Sequence, residues 1–534
     1  MRLITDETWV RIRIALDAGE IAQAGEIAEA ALADGDLHVI LHRVAAMRRQ
    51  WLGDSQGAVA HLLKAVALSP EDAEVLTFAA EGLREIGQLD KAIVLFDRAL
   101  TAAPLGIAAW YGRGLALEAA GALNEARDTF SEVMRLAPHT APGFAGYATT
   151  SAQLGYIHEA LENALRAHQL APSSPVAGLA LARCELARGN APRAIELLKQ
   201  ISHANPNGPV HEEVAVLTLL GDALDNDGRL NEAFAAYAHA NARLALAYPQ
   251  MSTDTSLLAR ISEIEAVVAQ SAWNQPTKQA SLVDGPAARH VFLIGYPRSG
   301  TTLIEQALAS LPDVVTLEES PTLADAEHLL TARGLAQIGE LSDFQTQQLV
   351  EAYWKAVAHA GVSVNDCTFV DMDPSKSLAL PLIARLFPKA KIIVMRRDPR
   401  DIVWSCFRRA FIMNTMTSYF ISLDRAARHY DAVMRFTERC LDTLPIEAHT
   451  IVYETLVRDF DEVTRAMCSF VGVPWSTDIR NFRSTARRGR VKTVSSAQVR
   501  GPLFDGSGQW RRYVDKLAPV LPILEPWLLS YHQH

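Results

Sequence analysis

The chain has 534 residues, of which 49% are hydrophobic and 21% are charged, and its formal net charge is −10. This length predicts at least two globular domains, and the negative charge argues against a general nucleic-acid-binding protein. Five scattered cysteines form no close pair, which disfavours a metal knuckle or a redox motif, and no apolar run is long enough for a membrane span. The first twenty residues are too charged for a signal peptide, so we expect a cytoplasmic protein.

An internal repeat of 34 residues fills the first half of the chain. An alanine follows each repeat glycine by five residues, and prolines keep the same spacing, as in Gly87, Ala92 and Pro104. Each unit predicts a helix, a glycine turn, a second helix with a small residue at the crossing, and a closing proline. Because one helix pair cannot bury its apolar face alone, neighbouring pairs are expected to stack. The repeat glycines are Gly19, Gly53, Gly87, Gly121, Gly155 and Gly189.

This spacing resembles the tetratricopeptide repeat, and a seventh unit around Gly228 follows after five extra residues. The resemblance implies an all-α solenoid of about seven helix pairs in residues 1–250, whose concave face holds a peptide or a partner protein. The alternative is that the repeats serve only solubility or dimerisation. Residues 251–288 predict one amphipathic helix and a polar linker before the second domain.

Residues 289–534 alternate short apolar runs with helical stretches. HVFLIGY, TFVDM, KIIVMRR and HTIVYE are each consistent with a buried parallel strand. This pattern predicts an α/β domain of the phosphate-loop type with a parallel sheet. Ligands of such sheets bind at the carboxyl ends of the strands.

The segment from Pro297 to Thr302 lies at such an end and is followed by a predicted helix. Its backbone N–H groups and the positive helix terminus predict an anion site. No lysine stands where an ATP-binding loop needs one, and acidic magnesium ligands are missing from their places. A kinase or nucleotidase is therefore the weakest alternative.

The loop resembles that of sulfotransferases that use 3′-phosphoadenosine 5′-phosphosulfate, in the arginine form found in the protein-tyrosine sulfotransferase branch and in bacterial relatives carrying tetratricopeptide arrays. The family's second motif, an arginine at a strand end and a serine eight residues on, is matched by Arg397 and Ser405. The resemblance implies that Arg397 and Ser405, the latter in the first turn of the next helix, hold the 3′-phosphate of the donor. The implied donor-binding residues are Arg298, Ser299, Gly300, Thr301, Thr302, Arg397, Ser405, Tyr453 and Ser495, and we add Arg500 to this set.

Two positions depart from the family pattern. Met372 stands where the family has lysine, and Gln509 replaces the basic residue before Trp510. Lys376, one helical turn on, could restore the lost charge. Arg400, Arg408 and Arg409 are interpreted as a solvated or substrate-facing helix surface.

Sulfuryl transfer requires a group that stabilises the leaving oxygen and a group that accepts the proton of the acceptor hydroxyl. Arg298 is the candidate for the first role. For the second, the resemblance implies the second glutamate of a pair located twenty-one residues beyond the loop arginine, which is Glu319 after Glu318. The alternative is that this pair only begins a helix, where acidic side chains suit the dipole.

These observations predict an enzyme that transfers sulfate from the donor to a hydroxyl, such as a peptide or protein tyrosine presented by the repeats. The donor is a co-substrate, and we expect no metal, because a sulfuryl group carries less charge than a terminal phosphate. One alternative acceptor is a sugar, a lipid or a small metabolite. Another alternative is a repeat scaffold whose sulfotransferase-like domain is catalytically weakened, and a homodimer is a further option for the array.

Overall fold

The computed structural model describes residues 6–204, 208–270, 285–333, 338, 341–488, 491, 499–501, 503 and 505–531. The chain folds into two compact units. The first consists of Met1–Asp254 with Arg408–Ser422, and the second of Thr255–Phe407 with Leu423–His534.

In its described residues, the first unit contains seven consecutive helix pairs and one short helix. They are α1 (Asp6–Asp17), α2 (Ile21–Ala33), α3 (Val39–Trp51), α4 (Ser55–Leu68), α5 (Ala73–Glu85), α6 (Leu89–Ala102), α7 (Ile107–Ala119), α8 (Leu123–Leu136), α9 (Ala141–Leu154), α10 (Ile157–Leu170), α11 (Pro175–Ala187), α12 (Ala191–Ala204), α13 (Val210–Asn226), α14 (Leu230–Ala247) and α15 (Pro249–Thr253). The predicted helical repeat array is confirmed.

The repeat positions explain why the pairs stack. Gly87 turns the chain between α5 and α6 with a φ of 79°, which only glycine adopts at little cost. Ala92 and Phe96 in α6 are fully buried. A Cβ on Gly112 of α7 would lie 2.5 Å from the Phe96 ring, so this aromatic side chain packs where the next repeat has a small residue.

Residues 408–422, which the sequence places inside the second domain, pack within the first unit. Arg408 lies 3.8 Å from Asp225 and Arg409 lies 3.0 Å from Asp222, both on α13. The interpretation of these two arginines as a solvated surface is therefore wrong. Apolar residues of the segment also pack on α13 and α14; the cluster comprises Val214, Leu217, Ala240 and Leu244 with Met413 and Ile421.

The second unit is built on a five-stranded parallel sheet in the order β2-β3-β1-β4-β5. The strands are β1 (Arg289–Gly295), β2 (Val314–Glu318), β3 (Thr368–Met372), β4 (Lys391–Arg396) and β5 (Glu447–Val452). The predicted parallel α/β sheet is confirmed, and four strands coincide with the predicted apolar runs. The edge strand β2 was not predicted, because its five residues, VVTLE, are short and end in the glutamate pair.

Helices cover both faces of this sheet. They are α16 (Ser256–Gln270), α17 (Thr301–Leu308), α18 (Ala324–Arg333), α19 (Asp343–His359), α20 (Leu380–Leu386), α21 (Pro399–Phe407), α22 (Leu423–Thr443), α23 (Tyr453–Arg458), α24 (Phe460–Val471), α25 (Phe482–Arg488), α26 (Val514–Leu517) and α27 (Leu521–Tyr531). One face of the sheet packs on α17 through aliphatic residues of β1, β3 and β4. The other face carries an aromatic cluster that includes Phe292, Tyr353 and Phe387.

Candidate active site

The predicted anion-binding loop follows β1 at the carboxyl edge of the sheet. Arg298 and Gly300 both adopt left-handed backbone conformations, with φ angles of 72° and 103°. The Ser299 amide closes the loop by donating to the Tyr296 carbonyl at 3.1 Å. A Cβ on Gly300 would lie 2.7 Å from the Tyr453 ring, so glycine is required there. The left-handed turns around Ser299 give a concave backbone of the kind that binds anions.

The hydroxyl groups of the loop are buried at the start of α17. Ser299, Thr301 and Thr302 are 0%, 4% and 3% exposed. Within the described part of the chain, Ser299 Oγ has no hydrogen-bond partner. Since buried hydroxyls are normally paired, this group is available for an oxygen of a ligand. The first N–H groups of α17 point the same way by helix geometry.

Arg397 connects the two predicted donor-binding loops. It follows β4 directly, and its Nη1 donates to the Arg298 carbonyl at 3.0 Å. Its Nη2 donates to the Gly506 carbonyl at 2.5 Å, and its guanidinium lies 4.6 Å from the centre of the Tyr453 ring. The Arg397 Nε is buried without a partner among the described residues. The structure therefore brings together the loops at 298 and 397. The N–H group at Arg397 Nε is left to donate a hydrogen bond to a ligand.

Ser405 lies next to Arg298, whose Nε donates to the serine Oγ at 2.9 Å. The expectation that Ser405 occupies the first turn of its helix is wrong. Helix α21 begins at Pro399, so the serine lies in the second turn. The Arg298 side chain is 8% exposed and is held between the two loops.

A C-terminal segment folds onto α21 through Asp401, which sequence reasoning missed. The Asp401 carboxylate accepts from the Gly508 amide at 2.6 Å and from the Trp510 amide at 3.0 Å. Burial raises the pKa of Asp401, while these amide bonds and the Arg397 charge oppose the rise. Arg400 lies 3.8 Å from the centre of the Trp510 ring and also pairs with Asp398, so Arg400 is not merely a solvated side chain. No local pattern marks Asp401, because its partners lie more than one hundred residues away.

Of the remaining residues predicted to bind the sulfuryl donor, one contacts both loops, one lies beside α25 and one is not described. Tyr453 begins α23 and contacts both loops, and burial raises its pKa. Arg500 is 4% exposed and donates to the Ala486 carbonyl at 3.1 Å, beside α25. Burial lowers the pKa of Arg500, and the charge of Glu318 opposes this. Ser495 lies outside the described residues.

Glu318 and Glu319 end β2 at the same carboxyl edge. Glu318 is the last residue of the strand and is buried, whereas Glu319 is exposed with a φ of 41°. The Glu319 amide donates to the Met372 carbonyl at 2.7 Å. The alternative that this pair begins a helix is wrong, because α18 begins at Ala324. A left-handed, exposed glutamate at a strand end is consistent with a functional role.

Lys376 does not supply the charge that Met372 lacks. Its ammonium forms a buried ion pair with Asp371 and donates to the Ser320 carbonyl at 3.1 Å. Asp371 also accepts from Thr322 and Tyr353, both at 2.8 Å. The suggested compensation is therefore wrong, since a buried lysine in such a network is already neutralised. Met372 itself is fully buried in the core that packs on α17.

Asp373 is a second carboxylate at this edge that sequence reasoning did not assign. Glu318 pairs in register with Met372, so Glu319 and Asp373 occupy the next positions of neighbouring strands. Asp373 accepts from the Ser375 amide at 2.8 Å, and burial raises its pKa. Asp373 is thus a further residue that could accept a proton here.

Neither a cluster of metal ligands nor a membrane-spanning helix occurs among the described residues. They contain no group of three or more histidine, cysteine, aspartate or glutamate side chains placed to hold a metal ion. None of the described helices combines the length and apolar character needed to cross a bilayer.

The loop after β1, joined through Arg397 to a second loop after β4, gives the second unit the features of an α/β phosphate-loop protein. Residues 290–477 match the family model described as "Sulfotransferase family", and residues 45–107, 79–140 and 151–220 match tetratricopeptide-repeat models. The chain therefore carries a domain of the sulfotransferase family together with tetratricopeptide repeats.

Known proteins are similar to parts of this chain. An uncharacterized protein of Aquifex aeolicus (strain VF5) is 29% identical over 256 residues, covering 45% of this chain and 33% of that protein. Protein-tyrosine sulfotransferase 1 of Danio rerio is 26% identical over 224 residues, covering 39% of this chain and 59% of that protein. The sulfotransferase domain from the Synechococcus PCC 7002 olefin synthase aligns with a TM-score of 0.32 and 20% identity, over 48% of this chain and 98% of that one. The chain thus spans between one third and about three fifths of the length of these two curated relatives.

Proposed function

We propose that the second unit transfers the sulfuryl group of 3′-phosphoadenosine 5′-phosphosulfate to an acceptor hydroxyl. The observation that carries this proposal is the direct contact of the two loops, in which Arg397 donates to the Arg298 carbonyl and Arg298 donates to Ser405. A donor with phosphate groups at both ends needs two such loops side by side. The unpartnered Ser299 hydroxyl and Arg397 Nε fit its oxygens.

The chemistry assigned to the site has two parts. The acceptor oxygen forms a bond to sulfur while the bond from sulfur to the bridging phosphate oxygen breaks. Arg298 stabilises the negative charge that grows on that oxygen, and its burial strengthens the interaction. Glu319 takes the proton of the acceptor hydroxyl, which leaves it protonated until product is released.

For the acceptor, we propose a peptide or protein tyrosine presented by the repeat array. The support is the presence of tetratricopeptide repeats in the same chain and the names of relatives such as the protein-tyrosine sulfotransferase of Danio rerio. A sugar, lipid or small-metabolite acceptor is the alternative within the same chemistry. The array could also join two copies of the chain.

A scaffold with a weakened sulfotransferase domain is a second candidate function. It is favoured by the buried Met372 and by the pairing of Lys376 with Asp371, because both leave less positive charge for the donor. This candidate predicts donor binding without turnover.

Calorimetric titration of the full chain with adenosine 3′,5′-bisphosphate tests the donor site. We expect binding at one site per chain, and a loss of at least about tenfold in affinity for Arg397→Ala, since each charge-assisted hydrogen bond contributes about 1.5–3 kcal/mol. Arg458→Ala is the matched control, because Arg458 is exposed on α23 and pairs with neighbouring Asp459. Absence of binding to the wild-type chain would overturn the proposal.

Radiolabelled donor then separates the acceptor classes. We expect label in a library of tyrosine peptides when the wild-type chain is present. Label in a low-molecular-weight cell extract and not in peptides would assign a small acceptor. Donor binding without labelled product in either pool would favour the scaffold.

A further inference from the structure

A cavity of about 780 Å³ lies in the second unit, at the amino-terminal edge of the sheet. Its lining comprises residues 285 and 287–290 before and at the start of β1, residues 385–391 between α20 and β4, one face of α19, and residues 471–472 at the end of α24. The candidate active site lies at the opposite edge. The seven residues of β1 separate the two edges by roughly 20 Å.

One wall of the cavity is aromatic. The His290 ring lies 5.0 Å from Trp354 and 4.9 Å from Phe387, measured between ring centroids. Phe344, also in the lining, is 68% exposed. Flat aromatic walls favour planar apolar molecules, and the volume is within the range of small-molecule sites. The cavity is therefore suited to an apolar body larger than a few atoms.

Among the residues that the structure describes, the lining carries more cationic than anionic side chains, although the whole chain has a net negative charge. Lys391 lies 3.5 Å from Glu447 and is therefore neutralised. The other charged lining residues are Arg289, Arg385 and Lys389 against Asp343, which leaves an excess of cations. Arg289 and Lys389 are exposed, so a bound anion would reach both side chains from solvent. Cations around a low-dielectric wall attract anions to it.

We propose that this cavity binds a small molecule with a flat apolar body and at least one carboxylate, phosphate or sulfate group. The combination of an aromatic wall with an excess of cations carries the proposal. This site is separate from the donor site, and its existence does not depend on sulfotransferase activity.

Two fluorescent probes test the proposal on the full chain. The first is 8-anilinonaphthalene-1-sulfonate, and the second is N-phenyl-1-naphthylamine, which has the same rings without the sulfonate. We expect saturable binding of one sulfonate probe per folded chain, about tenfold tighter than the neutral probe, as expected for one favourable ion pair of about 1.4 kcal/mol. Equal affinity for both probes would overturn the anionic part of the proposal.

Cavity variants locate the probe. Phe344→Ala should weaken both probes, whereas the double change Arg289→Glu with Lys389→Glu should weaken only the sulfonate. All three positions are exposed, so the fold should persist, which circular dichroism checks. Leu105→Ala and Arg458→Glu are matched exposed controls elsewhere and should change nothing.

Competition with adenosine 3′,5′-bisphosphate completes the test. Saturating nucleotide should leave the sulfonate affinity unchanged, because the two sites lie at opposite edges of the sheet. Competition, or affinities unaffected by the cavity variants, would place the probe elsewhere and overturn the assignment.

Discussion

Arg298 combines a left-handed backbone, nearly complete burial and a side-chain bond to Ser405. A non-glycine residue in that conformation costs about 1 kcal/mol or more, which the rest of the fold must offset. Such a cost is retained most often where the conformation aims a functional group. Here the strained residue, Arg298, is also the one that we propose stabilises the negative charge on the leaving oxygen.

Replacing Arg298 with alanine should lower the single-turnover rate of sulfuryl transfer by at least about a hundredfold. The loss arises because the charge on the leaving oxygen would lose its nearest donor. Rapid-quench measurement with labelled donor gives the rate, and Arg458→Ala is the exposed arginine control. A rate within threefold of wild type would remove Arg298 from the mechanism.

Glu319→Gln should lower the turnover number by about 10²- to 10⁴-fold and abolish the acidic limb of the pH–rate profile. That limb reports protonation of the base, and a glutamine cannot titrate. Turnover measured from pH 5 to 9 provides the test, with Glu318→Gln as the neighbouring control.

Asp373→Asn distinguishes the two carboxylates at this edge. If the acidic limb persists in Glu319→Gln and disappears in Asp373→Asn, the base is Asp373. The register of β2 and β3 makes this comparison necessary, because it places the two residues at adjacent strand ends.

The family resemblance predicted Arg298, Arg397 and Tyr453 as donor-binding residues, and the structure brings the three together at the ends of β1, β4 and β5. Local sequence could not find Asp401 or the Gly506 carbonyl, because their partners are remote in the chain. The prediction that Lys376 replaces the missing charge at Met372 was wrong for a related reason. Lys376 lies one helical turn further on, but its ammonium is bound by Asp371 and by the Ser320 carbonyl.

At the scale of elements, α21 holds the C-terminal segment against the second loop. Trp404 of this helix stacks on Tyr513 at 3.9 Å, and Asp401 accepts two backbone amides of the same segment. The segment in turn presents the Gly506 carbonyl to Arg397. Helix α21 therefore positions the C-terminal segment, and through the Gly506 carbonyl of that segment it also positions Arg397.

Asp401→Asn should weaken this closure. An asparagine has one oxygen in place of two, so one buried amide loses its acceptor at a cost of about 1–3 kcal/mol. We expect faster proteolysis within residues 499–513 and weaker binding of adenosine 3′,5′-bisphosphate. Asp515→Asn, at an exposed position of α26, is the control and should change neither quantity.

The elements that could be predicted share strong periodic signals. The repeat helices were marked by glycine, alanine and proline at fixed intervals, and four strands by continuous apolar runs. Strand β2 lacks such a signal, because its pairing with β3 is decided by tertiary contacts across fifty residues.

At the scale of the whole molecule, buried histidines predict sensitivity to acid. Burial lowers the pKa of His42 to about 4, of His429 to about 4 and of His290 to about 3. In the unfolded chain these groups titrate near 6.5, so the unfolded state binds more protons below that value. Their contribution to stability is complete above about pH 6.5 and is lost as pH falls toward the folded pKa values.

The free energy of unfolding should therefore fall between pH 6.5 and pH 4, by on the order of 3 kcal/mol for His429 alone. Urea unfolding at several pH values measures this slope. In His429→Gln, the number of protons taken up on unfolding, which the slope reports, should decrease by one. This holds even if the variant is less stable at neutral pH because it loses the 2.7 Å contact with Tyr296. An unchanged slope would contradict the assignment.

Because residues 408–422 belong to the first unit, the chain cannot be divided into its two units at a single position. The polypeptide enters the repeat unit twice, so no single cut yields two intact parts. A fragment starting at residue 255 would carry Met413 and Ile421 without their apolar neighbours and Arg409 without Asp222. Separate production of either unit therefore requires a cut on each side of residues 408–422 as well as one near residue 254.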